Sequence, residues 1–197
     1  MILQISSSIT ISIRQIVETE EFFFNSLHLL PEDEQQIKSI KLQNVRLQKW
    51  ACRAALAELL GNNKVEITYS KTGQPLLKNH HISFSHTKNS VAVALASTHV
   101  GIDIEEITPR ISRLYPSFMS KQEIQSCDTH NLKDLYYFWC AKEAMYKWFA
   151  HKNLNFIEDL QVNKEENKGI IHKKHILQLT PIWTDKELVM VCRSLSI

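Results

Sequence analysis

A short apolar segment of the sequence, VGIDIE, carries two carboxylates, Asp103 and Glu105, one residue apart. On a β-strand, side chains two residues apart share a face, so these acids would lie about 6 to 7 Å apart at Cα, with Ile102 and Ile104 opposite. Two such carboxylates can share a hard divalent cation or must be paired with bases. The same spacing is also common on a solvated sheet face, and the segment alone favours that second interpretation. Gly101, just before the acids, would let another backbone or a ligand approach closely.

A second candidate is WCAKEAMYK, residues 139–147. At helical spacing Trp139, Glu143 and Lys147 lie four residues apart on one face, so a carboxylate and an ammonium could project together into a site. The alternative is a surface ion pair at i,i+4, worth about 0.2–0.5 kcal/mol. The nearby Trp139 and Tyr146 favour a partly buried face, but this segment alone leaves both interpretations open.

A third candidate is the segment SFSHT, which contains Ser85 and His86. A histidine, hydroxyls and backbone amides at the end of a strand suit a phosphate or a carboxylate. A solvated loop histidine is the more frequent outcome for such a segment. The histidine pairs His80-His81 and His172/His175 lack the carboxylate or cysteine neighbours of a zinc site, and we interpret them as solvated turns.

Composition limits the class of protein. The 197 residues are 44% apolar and 22% charged, with a formal net charge of +2, enough for one substantial core or two small subdomains. A nucleic-acid-binding protein would more often show a strong basic excess, so we expect no nucleic-acid partner. The longest apolar run, VAVALA, is far too short to span a bilayer, and the alternating start is unlike a signal peptide. With four cysteines outside any metal-binding spacing, we expect a cytoplasmic protein.

Hydrophobic periodicity predicts the elements that position these residues. Residues 1–17 alternate, which predicts an opening strand. Pro31 begins a helical pattern, and the pattern from Ile37 to Leu60 predicts one long helix or two short ones, ending at Gly61.

Strand patterns follow this helical region, and a second helical pattern with strands of its own comes after them. A strand pattern at Val65–Tyr69, a turn around Gly73 and two hairpin-like runs precede a capping box at Ser120 and a helical pattern over Leu132–Ala150. Strand-like segments follow, at residues 170–171, 176–179 and 188–191. The order of strand, helix and strands therefore occurs twice, and we predict an α+β fold of two similar halves, residues 1–98 and 99–197, each a small antiparallel sheet packed with a long helix.

The three candidate motifs occur in the order SFSHT, VGIDIE, WCAKEAMYK. In that order they resemble the 4′-phosphopantetheinyl transferase superfamily, whose signature is a hydroxyl-histidine loop, a G-[IV]-D-[IV]-E strand and a W-x-x-K-E-A-x-x-K helix. The length and the two halves resemble the surfactin-synthetase-activating type, in which one chain folds as a pseudo-dimer with the active site in the cleft between its halves.

The resemblance implies a reaction. Such enzymes use Mg²⁺ and coenzyme A to transfer phosphopantetheine to a serine of an apo acyl or peptidyl carrier protein, releasing 3′,5′-ADP in holo-carrier-protein synthesis. By similarity, Asp103, Glu105 and Glu143 would surround the metal. Glu143, or a water bound to the metal beside it, would be the base, and Lys147 would stabilise charge on the leaving phosphate.

The resemblance also implies contacts to coenzyme A, and the sequence departs from the family pattern in several places. Gln74 replaces the usual lysine of a G-K-P turn, Phe84 makes the histidine loop bulkier, and the residues after Lys147 lack the family's glycines. The residues implied to bind coenzyme A are Lys38, Lys41, Arg53, Gly73, Ser85, His86 and Lys142.

Two other functions stay open on the sequence. The first is a family member that binds coenzyme A or a carrier protein without turnover, which the Gln74 change favours. The second is a metal-dependent nuclease built on Asp103, Glu105, Glu143 and Lys147, although it gives His86 no role. For the transferase we expect a monomer without a membrane partner.

Overall fold

The computed structural model describes residues 1–71, 73–150 and 153–195. The chain divides into two compact units, Met1–His99 and Val100–Ile197. Each unit contains an antiparallel sheet and a helix of 18 residues. The predicted α+β class is therefore confirmed. None of the helices within residues 1–71, 73–150 and 153–195 combines the length and the apolar composition that a bilayer span requires.

The first unit begins with two strands where the sequence predicts one. The alternation is correct, but the chain turns back at the serines between residues 6 and 9, and Leu3 pairs with Ile11 across the resulting hairpin. The elements of this unit are β1 (Ile2–Ser6), β2 (Ile9–Gln15), α1 (Glu20–Ser26), β3 (His28–Leu29), α2 (Pro31–Lys38), α3 (Gln43–Leu60), β4 (Lys64–Val65), β5 (Ile67–Tyr69), β6 (Pro75–Leu77), β7 (His81–His86) and β8 (Ser90–Ala96).

The main sheet of the first unit has the antiparallel order β1-β2-β8-β7. Helix α3 packs against β2 and β8, and small side chains such as Ala51 and Ala55 let it lie close to Val91 and Val93. The predicted hairpin of β7 and β8 is confirmed. The short strands form two further pairs, of which β3 with β4 is parallel.

The helical pattern from Ile37 to Leu60 forms two helices, α2 and α3, which is one of the two alternatives predicted. Arg46 donates to the carbonyls of Ile40 and Lys41, at 2.8 and 3.1 Å, and so satisfies the backbone where the helices separate. Helix α3 ends as predicted at Gly61, whose φ of 68° is the left-handed conformation that glycine adopts without strain.

The second unit is a five-stranded antiparallel sheet covered on one face by a long helix. Its strand order is β10-β11-β12-β13-β9, which places the VGIDIE strand at an edge. The elements are β9 (Val100–Glu106), 3₁₀ turns at Pro109–Arg113 and Tyr115–Ser117, α4 (Lys121–Gln125), α5 (Leu132–Phe149), β10 (Leu160–Asn163), β11 (Lys168–Ile171), β12 (His175–Trp183) and β13 (Glu187–Ser194).

Helices α4 and α5 follow their sequence signals closely. The predicted capping box is present: the backbone N–H of Ser120 donates to Glu123 Oε2 at 2.7 Å, and that of Glu123 donates to Ser120 Oγ at 3.3 Å. Helix α5 ends one residue before the predicted Ala150, which takes a left-handed φ of 56°. Met145 and Leu135 on α5 pack against Leu188 and Met190 of β13 in the core of this unit.

Gly101 is the point where strand β9 meets helix α5. A Cβ built on Gly101 would lie 1.9 Å from the carbonyl oxygen of Ala144 and 2.9 Å from the backbone nitrogen of Trp148. The sequence predicts that this glycine admits another backbone or a ligand, and the family resemblance implies that the ligand is coenzyme A. The structure shows that the close approach is made by the backbone of α5, because nothing larger than hydrogen fits between the two elements.

Gly101→Ala is expected to destabilise the protein at or above the upper end of the about 1–3 kcal/mol typical of overpacked sites, because the atom that must move is backbone. Urea unfolding followed by circular dichroism would measure the loss. Gly169→Ala is the matched control: its added Cβ would meet the side chain of Met145, at 2.5 Å from Sδ, and a flexible thioether side chain shifts more readily than backbone. Equal losses in the two variants would contradict this role for Gly101.

Candidate active site

Strand β9 directs Asp103 and Glu105 toward helix α5, as the alternation predicts. The indole Nε1 of Trp139, on α5, donates to Glu105 Oε1 at 2.8 Å. Ile102 and Ile104 alternate with the acids and are fully buried. The two acids of VGIDIE therefore do not form a solvated sheet face: Asp103 is only 3% exposed.

Helix α5 adds a carboxylate and an ammonium to the same place. Lys147 Nζ lies 2.7 Å from Asp103 Oδ1 and donates to the carbonyl of Ile102 at 3.1 Å. Glu143, one turn before Lys147, is half-buried and close enough to Asp103 for their charges to interact. Strand and helix thus bring together the three acids and the lysine that the motifs single out.

The electrostatics of this cluster raise the pKa of Glu143 to about 7. Burial is the largest cause, and the negative charges of Asp103 and Glu105 add to it, while Lys147 opposes them. Burial also raises the pKa of Glu105, against the hydrogen bond from Trp139. A carboxyl that titrates near neutral pH can exchange a proton with a substrate hydroxyl, which is the property of a general base.

A hard divalent cation fits the donor set in type and charge. Oxygen ligands suit Mg²⁺, and a divalent charge would offset the repulsion that helps to raise the pKa of Glu143. As the side chains are placed, no three His, Cys, Asp or Glu residues within 1–71, 73–150 and 153–195 form a group able to hold an ion. Asp103 hydrogen-bonds Lys147, and Glu105 hydrogen-bonds Trp139.

Lys142 lies elsewhere than the resemblance implies. Its side chain is 0% exposed, and Nζ donates to Glu123 Oε2 at 2.7 Å and to the carbonyls of Phe118 and Phe156 at 2.8 and 2.7 Å. An ammonium has three N–H donors, so these acceptors use all of them. In this structure Lys142 therefore offers no donor to a phosphate, unlike the contact that the resemblance implies. Burial lowers the pKa of Lys142, and the charge of Glu123 opposes that shift.

Arg53 is likewise held inside the first unit. It is 3% exposed and makes a bidentate ion pair with Asp33, at 2.6 and 3.0 Å, and a hydrogen bond with Tyr69. A buried guanidinium paired in this way does not present its donors to a phosphate. The implied 3′-phosphate contact of Arg53 is replaced by a structural role, joining α2, α3 and β5.

The other residues implied to bind coenzyme A also lie in the first unit. Lys38 is exposed, pairs with Glu34 at 2.5 Å and lies 4.1 Å from the ring centroid of Phe24. Lys41 is exposed in the α2–α3 connection. The remaining three lie on the β5–β6 and β7–β8 hairpins of this unit: Gly73, Ser85 and His86.

The hairpins explain the local geometry of those three residues. Gly73 has a φ of 85° in the β5–β6 turn, where its N–H donates to the carbonyl of Ser70 at 2.9 Å. Ser85 is buried opposite Ala92, while His86 is exposed as the last residue of β7. The predicted strand-end position of His86 is confirmed, and its phosphate contact stays a prediction.

The second unit is thus an α+β domain with a partly buried acidic centre, and residues 99–188 match the model of the 4′-phosphopantetheinyl transferase superfamily. The matched range contains Asp103, Glu105, Glu143 and Lys147. No curated protein matches the chain significantly. The family match leaves most of the first unit uncovered, so it supports transferase activity of this family in general, and the two-half subtype stays a prediction.

Proposed function

We propose that the protein transfers the 4′-phosphopantetheine arm of coenzyme A to a serine of an apo acyl or peptidyl carrier protein. The observation that carries the proposal is the joining of Asp103, Glu105, Glu143 and Lys147 at the β9–α5 contact, inside the range that matches the superfamily. In the nuclease alternative the same acids would act on nucleic acid, but neither the net charge of +2 nor the family match favours it.

The reaction exchanges the phosphoanhydride bond of coenzyme A for a phosphoester bond to serine. The serine oxygen attacks the β-phosphorus of coenzyme A, the bond from that phosphorus to the bridging oxygen breaks, and 3′,5′-ADP leaves. Glu143 accepts the proton of the serine hydroxyl. The ammonium of Lys147, held by Asp103 at 2.7 Å, stabilises the negative charge that develops on the leaving phosphate.

Asp103, Glu105 and Glu143 would hold Mg²⁺, which when bound supplies charge neutralisation at the pyrophosphate. In the two-half arrangement that we infer, Lys38, Lys41, Gly73, Ser85 and His86 would bind coenzyme A. Arg53 and Lys142 are no longer part of that set, because their donors are used inside their own units. We further infer a monomer that works in the cytoplasm.

Mass spectrometry of apo carrier proteins incubated with the protein, coenzyme A and MgCl₂ tests the proposal. The expected result is the addition of one phosphopantetheine group to at least one carrier of an acyl and peptidyl panel, abolished by EDTA or by omission of coenzyme A. No addition to any carrier that an established transferase modifies would refute it. Coenzyme A binding by calorimetry without transfer would instead favour the non-catalytic alternative, which the Gln74 departure supports.

A further inference from the structure

The indole of Trp139 is held on two sides and donates its N–H to a site carboxylate. Its ring centroid lies 5.0 Å from that of Phe118, in an edge-to-face contact, and 5.9 Å from that of Phe156. Its Nε1 donates to Glu105 Oε1 at 2.8 Å. An indole N–H donates in one direction only, so fixing the ring fixes the place of the carboxylate oxygen that it binds.

The buried lysine holds the backbone of both flanking phenylalanines. Lys142 Nζ donates to the carbonyls of both Phe118 and Phe156, the same residues whose rings contact Trp139. Glu123 neutralises that ammonium and also accepts from the backbone N–H of Val162 at 2.9 Å. Contacts therefore connect the buried ion pair, through the two phenylalanines, to Trp139 and from Trp139 to Glu105.

We propose that Trp139 is a positioning residue for Glu105, holding one carboxylate oxygen so that the group can offer the other to a divalent cation. The inference rests on the proposed function. Trp139 would be the hydrogen-bond partner of a metal ligand, and mutation of such a partner typically costs about 10- to 100-fold in metal affinity or activity. It also gives the tryptophan of WCAKEAMYK a role that its helical spacing alone does not show.

The test measures Mn²⁺ affinity by electron paramagnetic resonance, alongside the transfer kcat, the KM for coenzyme A and the free energy of unfolding. Trp139→Phe keeps an aromatic ring and removes the N–H. We expect about a tenfold loss in Mn²⁺ affinity and in kcat, with the KM for coenzyme A within twofold of wild type. Trp183→Phe, at a partly exposed position on β12, is the matched control and should change neither Mn²⁺ affinity nor kcat by more than twofold.

A double-variant cycle shows whether Trp139 acts through Glu105. Glu105→Gln should itself weaken Mn²⁺ binding, and adding Trp139→Phe to it should cost less than a further twofold, because the two changes remove one interaction. Benzothienylalanine introduced at position 139 replaces the N–H by sulfur in a ring of the same shape. It should reproduce the tenfold loss with unchanged stability, which a merely structural role for the ring would not do.

Wild-type Mn²⁺ affinity in Trp139→Phe and in the benzothienylalanine protein would overturn the inference, as would equal losses with and without Glu105→Gln. Wild-type protein that binds no Mn²⁺ would overturn it as well. Failure of the proposed function is separate: wild type would then modify no carrier protein, while the Mn²⁺ losses of the Trp139 variants would still support the positioning role.

Discussion

Glu143→Gln is expected to lower kcat for phosphopantetheine transfer by about 10²- to 10⁴-fold, the range for loss of a general base. Glutamine keeps the size and the hydrogen-bonding capacity of the side chain but cannot accept a proton from the serine hydroxyl. Single-turnover transfer to an apo carrier protein, quantified by mass spectrometry, measures the effect. Glu158→Gln, at an exposed position of the same unit, is the matched control. A kcat within tenfold of wild type would exclude Glu143 as the base.

The same residue makes a prediction about stability and pH in metal-free buffer. Glu143 has its pKa raised from the ordinary 4.5 to about 7, so between these values the folded state binds more protons than the unfolded chain. The contribution of Glu143 to the free energy of unfolding is therefore lost as the pH rises from 4.5 to about 7. The free energy of unfolding of wild type relative to Glu143→Gln should decrease from pH 4.5 to 7 in urea titrations with EDTA. A constant difference would mean that the cluster does not perturb Glu143.

Lys142→Met is expected to lower the free energy of unfolding by about 3–5 kcal/mol, the cost of leaving a buried charge without its partner. Glu123 would lose its partner in a site where it is 5% exposed, and the carbonyls of Phe118 and Phe156 would lose their donor. Urea unfolding followed by circular dichroism measures the change. Lys133→Met, at an exposed position of the same helix, should change the free energy of unfolding by less than about 0.5 kcal/mol.

A second variant separates the ion pair from simple loss of a long side chain. Adding Glu123→Gln to Lys142→Met should cost less than the sum of the two single changes, because the double variant leaves no uncompensated carboxylate. A role in phosphate binding would give the opposite pattern for Lys142→Met: near-normal stability with weakened coenzyme A binding. That result would restore the contact that the sequence resemblance implies.

Local signals account for the parts of the fold that could be predicted. Gly61 ends α3 and Ser120 begins α4 as expected, because a cap depends on residues within one turn. The sequence does not predict helix α1, since three consecutive phenylalanines give no helical period. Strand β10, of four residues, is likewise too short to show a clear alternation.

In the site too, the features set by residues close in sequence could be predicted, whereas those set by distant residues could not. Motif spacing predicts that Asp103 and Glu105 share a face and that Glu143 and Lys147 lie one turn apart. Whether a lysine meets phosphate or protein depends on residues far away in sequence: Lys142 is paired with Glu123, 19 residues earlier. Arg53 is paired across 20 residues with Asp33. Neither partner could be assigned from periodicity.

The nine residues of WCAKEAMYK serve several neighbours at once. Trp139 and Lys147 contact the site acids, the backbone of Ala144 abuts Gly101, Lys142 joins α4, and Met145 fills the space beside Gly169. A saturation mutagenesis library over this helix should therefore be intolerant at nearly every position yet split into two phenotypes. Changes at the site positions should yield abundant protein without turnover, whereas changes at the packing positions should reduce the amount of folded protein recovered.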